Sequence, residues 1–497
     1  MAVRSGREGV AAPAGRLRPA STVLHGRIRL PAELDAAVGG VDQGRASGVP
    51  RALTTGPLLV AAIAAATLMQ GGFLARGQVA VAALLAGAVV ASLPISRRAV
   101  AGLELTFVSG GLLAGWGVVR SAIAGSAVSA TREALLLVAL GAVLLLCRRL
   151  DHAGRRVVLV GLLGIAVVVA LIGWMAVAWH VRPFAIPSAG LWRATSTLTY
   201  ANAAAAVLAP LALVAAALLS MRPRSVPLGV TLMVLLLGAA VTLSRAGVFA
   251  LVVGIAVLVA FRGWVVLVSM VAPLAGASVA FLAVLPSMPA FPPARPALAV
   301  AGLAAGVGLV ALLLVYVRGR VMWVVGVAAA ALLVVGAVAF SKPEAHLWHH
   351  RVNLHSPSRS NAASEVLHIF KAHPAAGVGI GNVLITRTDA SGRLHVQRYV
   401  HDEYLQTLAE DGIIGAALLA TVLGALARLL WLSRPGDAAK RVLWAGVVAA
   451  CAAAAVHAGF DFVWHVPAIP LILMALMGIV VKPASNGSPV TERKEIV

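Results

Sequence analysis

Charge is scarce in this chain. Asp, Glu, Lys and Arg make up 12% of its 497 residues, about half of what soluble domains carry. That shortage excludes an ordinary water-soluble fold. Cysteine is scarcer still. Cys147 and Cys451 are the only two, both in or at the end of apolar segments, and the polar stretches have none. A disulfide framework and a cysteine metal site are therefore both excluded. The alternating pattern of a transmembrane barrel is missing as well. What is present is 60% hydrophobic residues and a mean hydropathy of +0.95, in runs near the roughly 20 residues that a spanning helix needs. The fold class is all-α: a polytopic membrane bundle of 12–14 helices.

Apolar segments recur at 56–75, 78–96, 100–119, 133–147, 157–180, 198–220, 226–243, 246–261, 263–285, 297–317 and 321–340. After a polar stretch come 412–432, 442–460 and 466–482. The expected organisation is a basic, disordered cytoplasmic tail over 1–55 with no signal-peptide core. A transmembrane bundle over 56–340 follows, then a polar loop over 341–411, helices over 412–482 and a tail over 483–497. The net charge of +22 would suit nucleic acid, yet the arginines sit in short loops and the tail. Cytoplasmic retention of basic residues explains that pattern, so no nucleic-acid partner is expected. Alternate loops hold Arg97 and Arg98, then Arg148, Arg149, Arg155 and Arg156, then Arg222 and Arg224, and later Arg434, Lys440 and Arg441. The rule puts those loops and the N-terminus inside, and the long loop outside.

Chemistry concentrates in a few stretches. VTLSRAGVFAL holds Arg245 at the tip of an apolar hairpin. A guanidinium there must face water, protein or an anion, or snorkel at a helix end. In HPAAGVGIGN, His373 precedes glycines 377, 379 and 381, a turn whose amides could approach an anion or serve as a plain loop. Arg359 adds a cation to the same loop. In HDEYLQTLAEDGIIG, Asp402 reads as an N-cap, Glu403 as first-turn, and Gly412 as a bend into the next span. His401 stands just ahead of that helix N-terminus, whose dipole favours a neutral imidazole fit for a general base; a structural histidine has the same spacing. HAGFDFVWH spaces His457, Asp461 and His465 four apart, on one face of a helix. That could ligate a metal, but Pro467 favours a hydrogen-bonded interfacial patch, and no metal is expected. Glu104 reads as an acid inside the third span, paired within the bundle.

Together these pieces resemble the O-antigen ligase and polysaccharide polymerase family of bacterial membrane glycosyltransferases. His401, Asp402, Gly412 and Gly415 match the ligase pattern, with Asp402 where the family usually has Asn, Ser or Gln. HPAAGVGIGN is similar to the family's loop signature, SRAG to its membrane arginine motif, WRATSTLTYANAAA to its approach to a span, and HAGFDF to a further element. The resemblance covers residues 190–465, in order. It implies a multi-pass protein of the bacterial cytoplasmic membrane acting on a glycan carried by undecaprenyl pyrophosphate. His401 would be the catalytic base, with Arg245, Arg359 and Arg193 on the pyrophosphate. Asp402, Glu410, Gly412, Gly415, His373, Gly377, Gly379, His457 and Asp461 would support the motif. The acceptor would be a glycan, lipid or protein hydroxyl, the surroundings membrane lipids, and no cofactor or metal is implied. A polymerase differs from a ligase only in the acceptor. A transporter or flippase would place polar residues at mid-membrane; here they gather on one side.

Overall fold

The computed structural model describes residues 49–93, 102–291, 293–317, 357–388 and 394–482. The tail up to residue 48, Arg97 and Arg98, the segment expected at 321–340, the loop start with Arg351 and the tail from 483 lie outside the described residues.

Fourteen α-helices and two β-hairpins follow one another there. Helices α1 (Val49–Leu68), α2 (Ala75–Ala91), α3 (Glu104–Ile123), α4 (Ala127–Arg149) and α5 (His152–Trp179) lead to the hairpin β1 (Ala185–Ser188) and β2 (Leu191–Ala194). Then come α6 (Ala201–Met221), α7 (Val226–Val241), α8 (Arg245–Arg262), α9 (Val265–Val284) and α10 (Pro296–Tyr316). The polar loop contributes α11 (Pro357–Ala372) and the hairpin β3 (Ile385–Thr388) and β4 (Leu394–Gln397), before α12 (Glu403–Leu432), α13 (Ala438–Ala458) and α14 (Ala468–Val480). Among the described residues, nine helices are long and apolar enough to cross a membrane, joined by four shorter apolar ones. The chain is a polytopic helical membrane protein, and among the described residues α11 is the one polar helix.

Two expectations shift. Helix α1 starts at Val49, inside the stretch read as tail, because Pro50 suits a first turn. Helix α3 starts at Glu104, so that carboxylate sits at the first residue of its span, not within it. It accepts from the Gly102 amide at 2.6 Å, where the helix N-terminus favours a negative charge.

The alanine- and leucine-rich α6 is buried along nearly its whole length and forms the axis of the bundle, packed by α5, α7, α8 and α13. Small side chains let these backbones close up, which supplies packing where apolar lipid removes the hydrophobic drive between helices. The two ends differ in chemistry. At one, Arg155 donates to the carbonyls of Ile479 (2.8 Å) and Arg148 (2.7 Å). There too, Arg148 donates to that of Lys482 (2.8 Å), fastening the last turn of α14. At the other, hereafter the polar face, both hairpins, α11 and the connections α7–α8 and α13–α14 converge.

Candidate active site at the polar face

His401 is carried on a clasp between two chain segments. Asp402 caps α12, its Oδ1 accepting from the amides of Tyr404 and Leu405 at 3.0 Å each. The helix breaks at Gly412, whose φ of +67° and ψ of −166° suit glycine. A Cβ there would fall 2.3 Å from the Ala375 carbonyl oxygen. Residues 374–379 run alongside: Ile413 donates to the Pro374 carbonyl (2.9 Å), Val378 to that of Ala409 (2.9 Å) and Gly379 to that of Glu410 (2.7 Å). Arg120 on α3 locks the clasp from outside, its Nη2 donating to the Gly377 carbonyl at 2.6 Å. Glu410 Oε1 accepts from the Gly381 amide (2.9 Å) and Gln406 Nε2 (2.7 Å). The glycine turn's amides are thus committed to protein acceptors, which corrects the reading of Gly377 and Gly379 as an anion cradle. They make a joint.

Asp461 is the node of the site. It lies in the α13–α14 connection with no exposed side-chain surface. His401 Nδ1 stands 2.9 Å from its Oδ1. Tyr200 Oη donates to both carboxylate oxygens, at 2.7 and 2.6 Å. Asn202 Nδ2 donates to Oδ2 and the Phe462 amide to Oδ1 at 2.9 Å. Burial pushes the Asp461 carboxyl up, but His401, Tyr200 and Arg359 outweigh it and hold it below the ordinary carboxylate value. Burial and then the Asp461 charge push the Tyr200 phenol up, so Tyr200 stays a donor. The charge nearest the His401 ring is therefore a carboxylate, not the helix dipole invoked from the sequence. A carboxylate on Nδ1 keeps the proton there and leaves Nε2 as the basic nitrogen. The His401 side chain is 28% exposed, so the ring is reachable.

Cations flank the node. Arg359 Nη2 on α11 lies 3.6 Å from Asp461 Oδ2, and Arg245, half-buried at the start of α8, is within electrostatic range of Arg359. Ser244 caps α8 by accepting from the Gly247 amide at 3.1 Å, and Leu243 just before it takes a left-handed φ of +51°. Arg193 on β2 is a brace. It donates to the Thr242 carbonyl (2.9 Å) and Asn202 Oδ1 (3.2 Å), tying the SRAG turn to the Asp461 network.

The expected helical row of His457, Asp461 and His465 is overturned. Helix α13 ends at Ala458, so Asp461 and His465 leave its register. His457 is buried, both ring nitrogens without a hydrogen-bond partner, and it feels the charges of Asp461 and Arg359. His465 turns to other acids: Nδ1 is 3.0 Å from Glu403 Oε2, a charge contact without hydrogen-bond angles, and Nε2 is 3.4 Å from Glu133 Oε1. Burial lowers its basicity, but Glu403 and Glu133 outweigh that and raise its pKa well above the ordinary value. Glu133, Glu410 and His465 hold one ligand atom each within 4.8 Å of one another; Glu133 pairs with His465, while Glu410 accepts from Gly381 and Gln406. His373 ends α11 through its carbonyl, which accepts from the Gly377 amide at 3.0 Å, while its side chain is exposed. Gly415 packs on Asp411. Sequence reasoning missed Tyr200 and Asn202 as partners of Asp461, although both sit in the quoted WRATSTLTYANAAA stretch, and missed Arg120 altogether.

A multi-pass membrane protein with a histidine–carboxylate pair and two guanidiniums at one face is the class this geometry defines. Residues 297–420 match the family model described as O-Antigen ligase, a match that takes in α10, α11, the clasp and His401. Over that stretch the chain is similar to the O-antigen ligase family. No curated protein matches it.

Proposed function

We propose that this protein moves a glycan from undecaprenyl pyrophosphate to an acceptor hydroxyl at the outer face of the cytoplasmic membrane. The observation that carries the reading is His401 held by Nδ1 on Asp461 beside Arg359 and Arg245. The arginines at the opposite end of the bundle support an outward polar face by the positive-inside rule.

The chemistry follows from the groups in hand. His401 Nε2 takes the proton of the acceptor hydroxyl as its oxygen bonds to the anomeric carbon. The bond from that carbon to the pyrophosphate oxygen breaks, and its electron pair leaves on the phosphate. Arg245 and Arg359 neutralise that charge; planar guanidiniums suit phosphate oxygens. Asp461 stabilises the imidazolium until its proton passes to water. The donor brings its own activation, so no nucleotide enters the step.

Deleting the gene in its host and analysing the lipid-linked pool tests this. Accumulation of full-length glycan on undecaprenyl pyrophosphate means a ligase, and accumulation of single repeat units means a polymerase. His401→Ala should fail to complement at normal membrane levels. Full complementation by His401→Ala, Arg245→Ala and Arg359→Ala alike would return the protein to the transporter class.

A further inference from the structure

A row of aromatic rings runs away from the catalytic pair. Tyr200 stacks on Phe462 at 5.1 Å between centroids, 11° from parallel, and Phe462 stacks on Tyr399 at 5.2 Å and 21°. Phe73 closes the row edge-on against Tyr399 at 6.3 Å. His401 touches the middle, 5.4 Å from Phe462. The row has a direction. Tyr200 donates to Asp461, against which Arg359 lies at 3.6 Å, so that guanidinium lies at the Tyr200 end and Phe73 at the other; the His465 ring packs on Tyr399 at 4.5 Å.

Phe73 is built into place. It follows the turn Gln70–Gly72 that joins α1 to α2, and this turn seats on the α13–α14 connection. Gly71, at φ +72°, makes the approach: a Cβ there would fall 2.4 Å from Val466 Cγ1. Yet the Phe73 side, 43% exposed, has solvent or lipid over much of its surface. A face of aromatic carbon that passes the reacting histidine and leads away from Arg359 suits the apolar C–H faces of a pyranose ring.

We propose that Phe73 and Tyr399 form a sugar-binding subsite that holds the acceptor's terminal pyranose on the side of His401 away from the pyrophosphate. This rests on the glycosyl-transfer reading above. The competing role is a membrane-interface anchor, which any large apolar side chain would fill.

The test uses the full-length protein in lipid nanodiscs with glycan chains released from the host's lipid-linked pool. Saturation-transfer NMR reads binding, and initial transfer rates against acceptor concentration read KM and kcat. Phe73→Ala and Phe73→Leu should both raise acceptor KM and weaken glycan binding about five- to tenfold with kcat unchanged, and Phe73→Trp should restore both. Leucine rescue would overturn the subsite in favour of an interface anchor, as would unchanged binding in Phe73→Ala. Glycan binding that depends on the Phe73 ring, in a wild type that transfers nothing, would uphold the subsite while sinking the proposed reaction.

Discussion

Replacing Asp461 by Asn keeps the shape of the side chain and removes its charge. Four donors converge on this carboxylate, from Tyr200, Asn202, the Phe462 amide and His401. An amide offers one oxygen, and its NH2 meets donors, so at least one buried donor is orphaned at about 1–3 kcal/mol. The catalytic effect is separate. A hydrogen bond to a charged partner contributes about 1.5–3 kcal/mol, which sets a loss of roughly 10- to 150-fold as the imidazolium forms. If the amide oxygen turns away, Nε2 carries the proton and the loss approaches about 10⁴-fold, as in the serine-protease triad. The expected result is a kcat down about 10- to 10⁴-fold with the donor KM little changed. The assay is transfer by purified protein with host lipid-linked glycan, at matched folded concentration. A kcat within a small factor of wild type would refute the pairing of Asp461 with His401. Acid stability gives an independent sign. The folded Asp461 carboxyl lies below its unfolded value of 3.8, so its contribution is present above that value and fades as pH falls through the depressed one. The Asn variant should lose that acid limb.

Arg359→Ala should cut kcat/KM about 10²-fold, and Arg359→Lys should recover only part, since a point charge replaces a fork; donor-concentration series on both variants check this. Gly412→Ala forces a Cβ into the Ala375 carbonyl and a backbone region open mainly to glycine, a strain of about 1–3 kcal/mol before the clash. It should melt well below wild type or fail to accumulate in membranes, and a wild-type thermal midpoint would remove the clasp from the account. His465, whose pKa is raised by Glu403 and Glu133 against burial, contributes stability that is fully present below 6.5 and lost as pH rises through the raised value. With Glu410 also facing it, wild type should lose thermal stability on going alkaline. His465→Gln should be less stable near neutrality and flatter with pH.

Much of this was legible because it is local. Hydropathy located the spans, Asp402 declared itself as a cap, Gly412 as a bend and Ser244-Arg245 as a hairpin tip. Each depends on residues within a turn or two. The node was not legible. Asp461 meets His401 across 60 positions, and the four-residue spacing pointed to a helix that Gly459 and the following turn had already ended. Asn202 and Arg193 carried no spacing signal, because their partners come from other elements. The glycine turn reads equally as an anion cradle or a plain loop, and what decides it is the carbonyls of Ala409 and Glu410, in another element, which take its amides.

The central claim is that His401 drives glycan transfer off a polyprenyl pyrophosphate. The most direct measurement puts purified protein in vesicles with lipid-linked glycan and acceptor alone. Both the glycan attached and the free lipid pyrophosphate released are then followed. The account predicts that wild type forms the two products in equal amounts and that His401→Ala, folded and glycan-binding, forms neither. Transfer by His401→Ala at the wild-type rate, or passage of intact lipid-linked glycan across the bilayer with no pyrophosphate released, would contradict it.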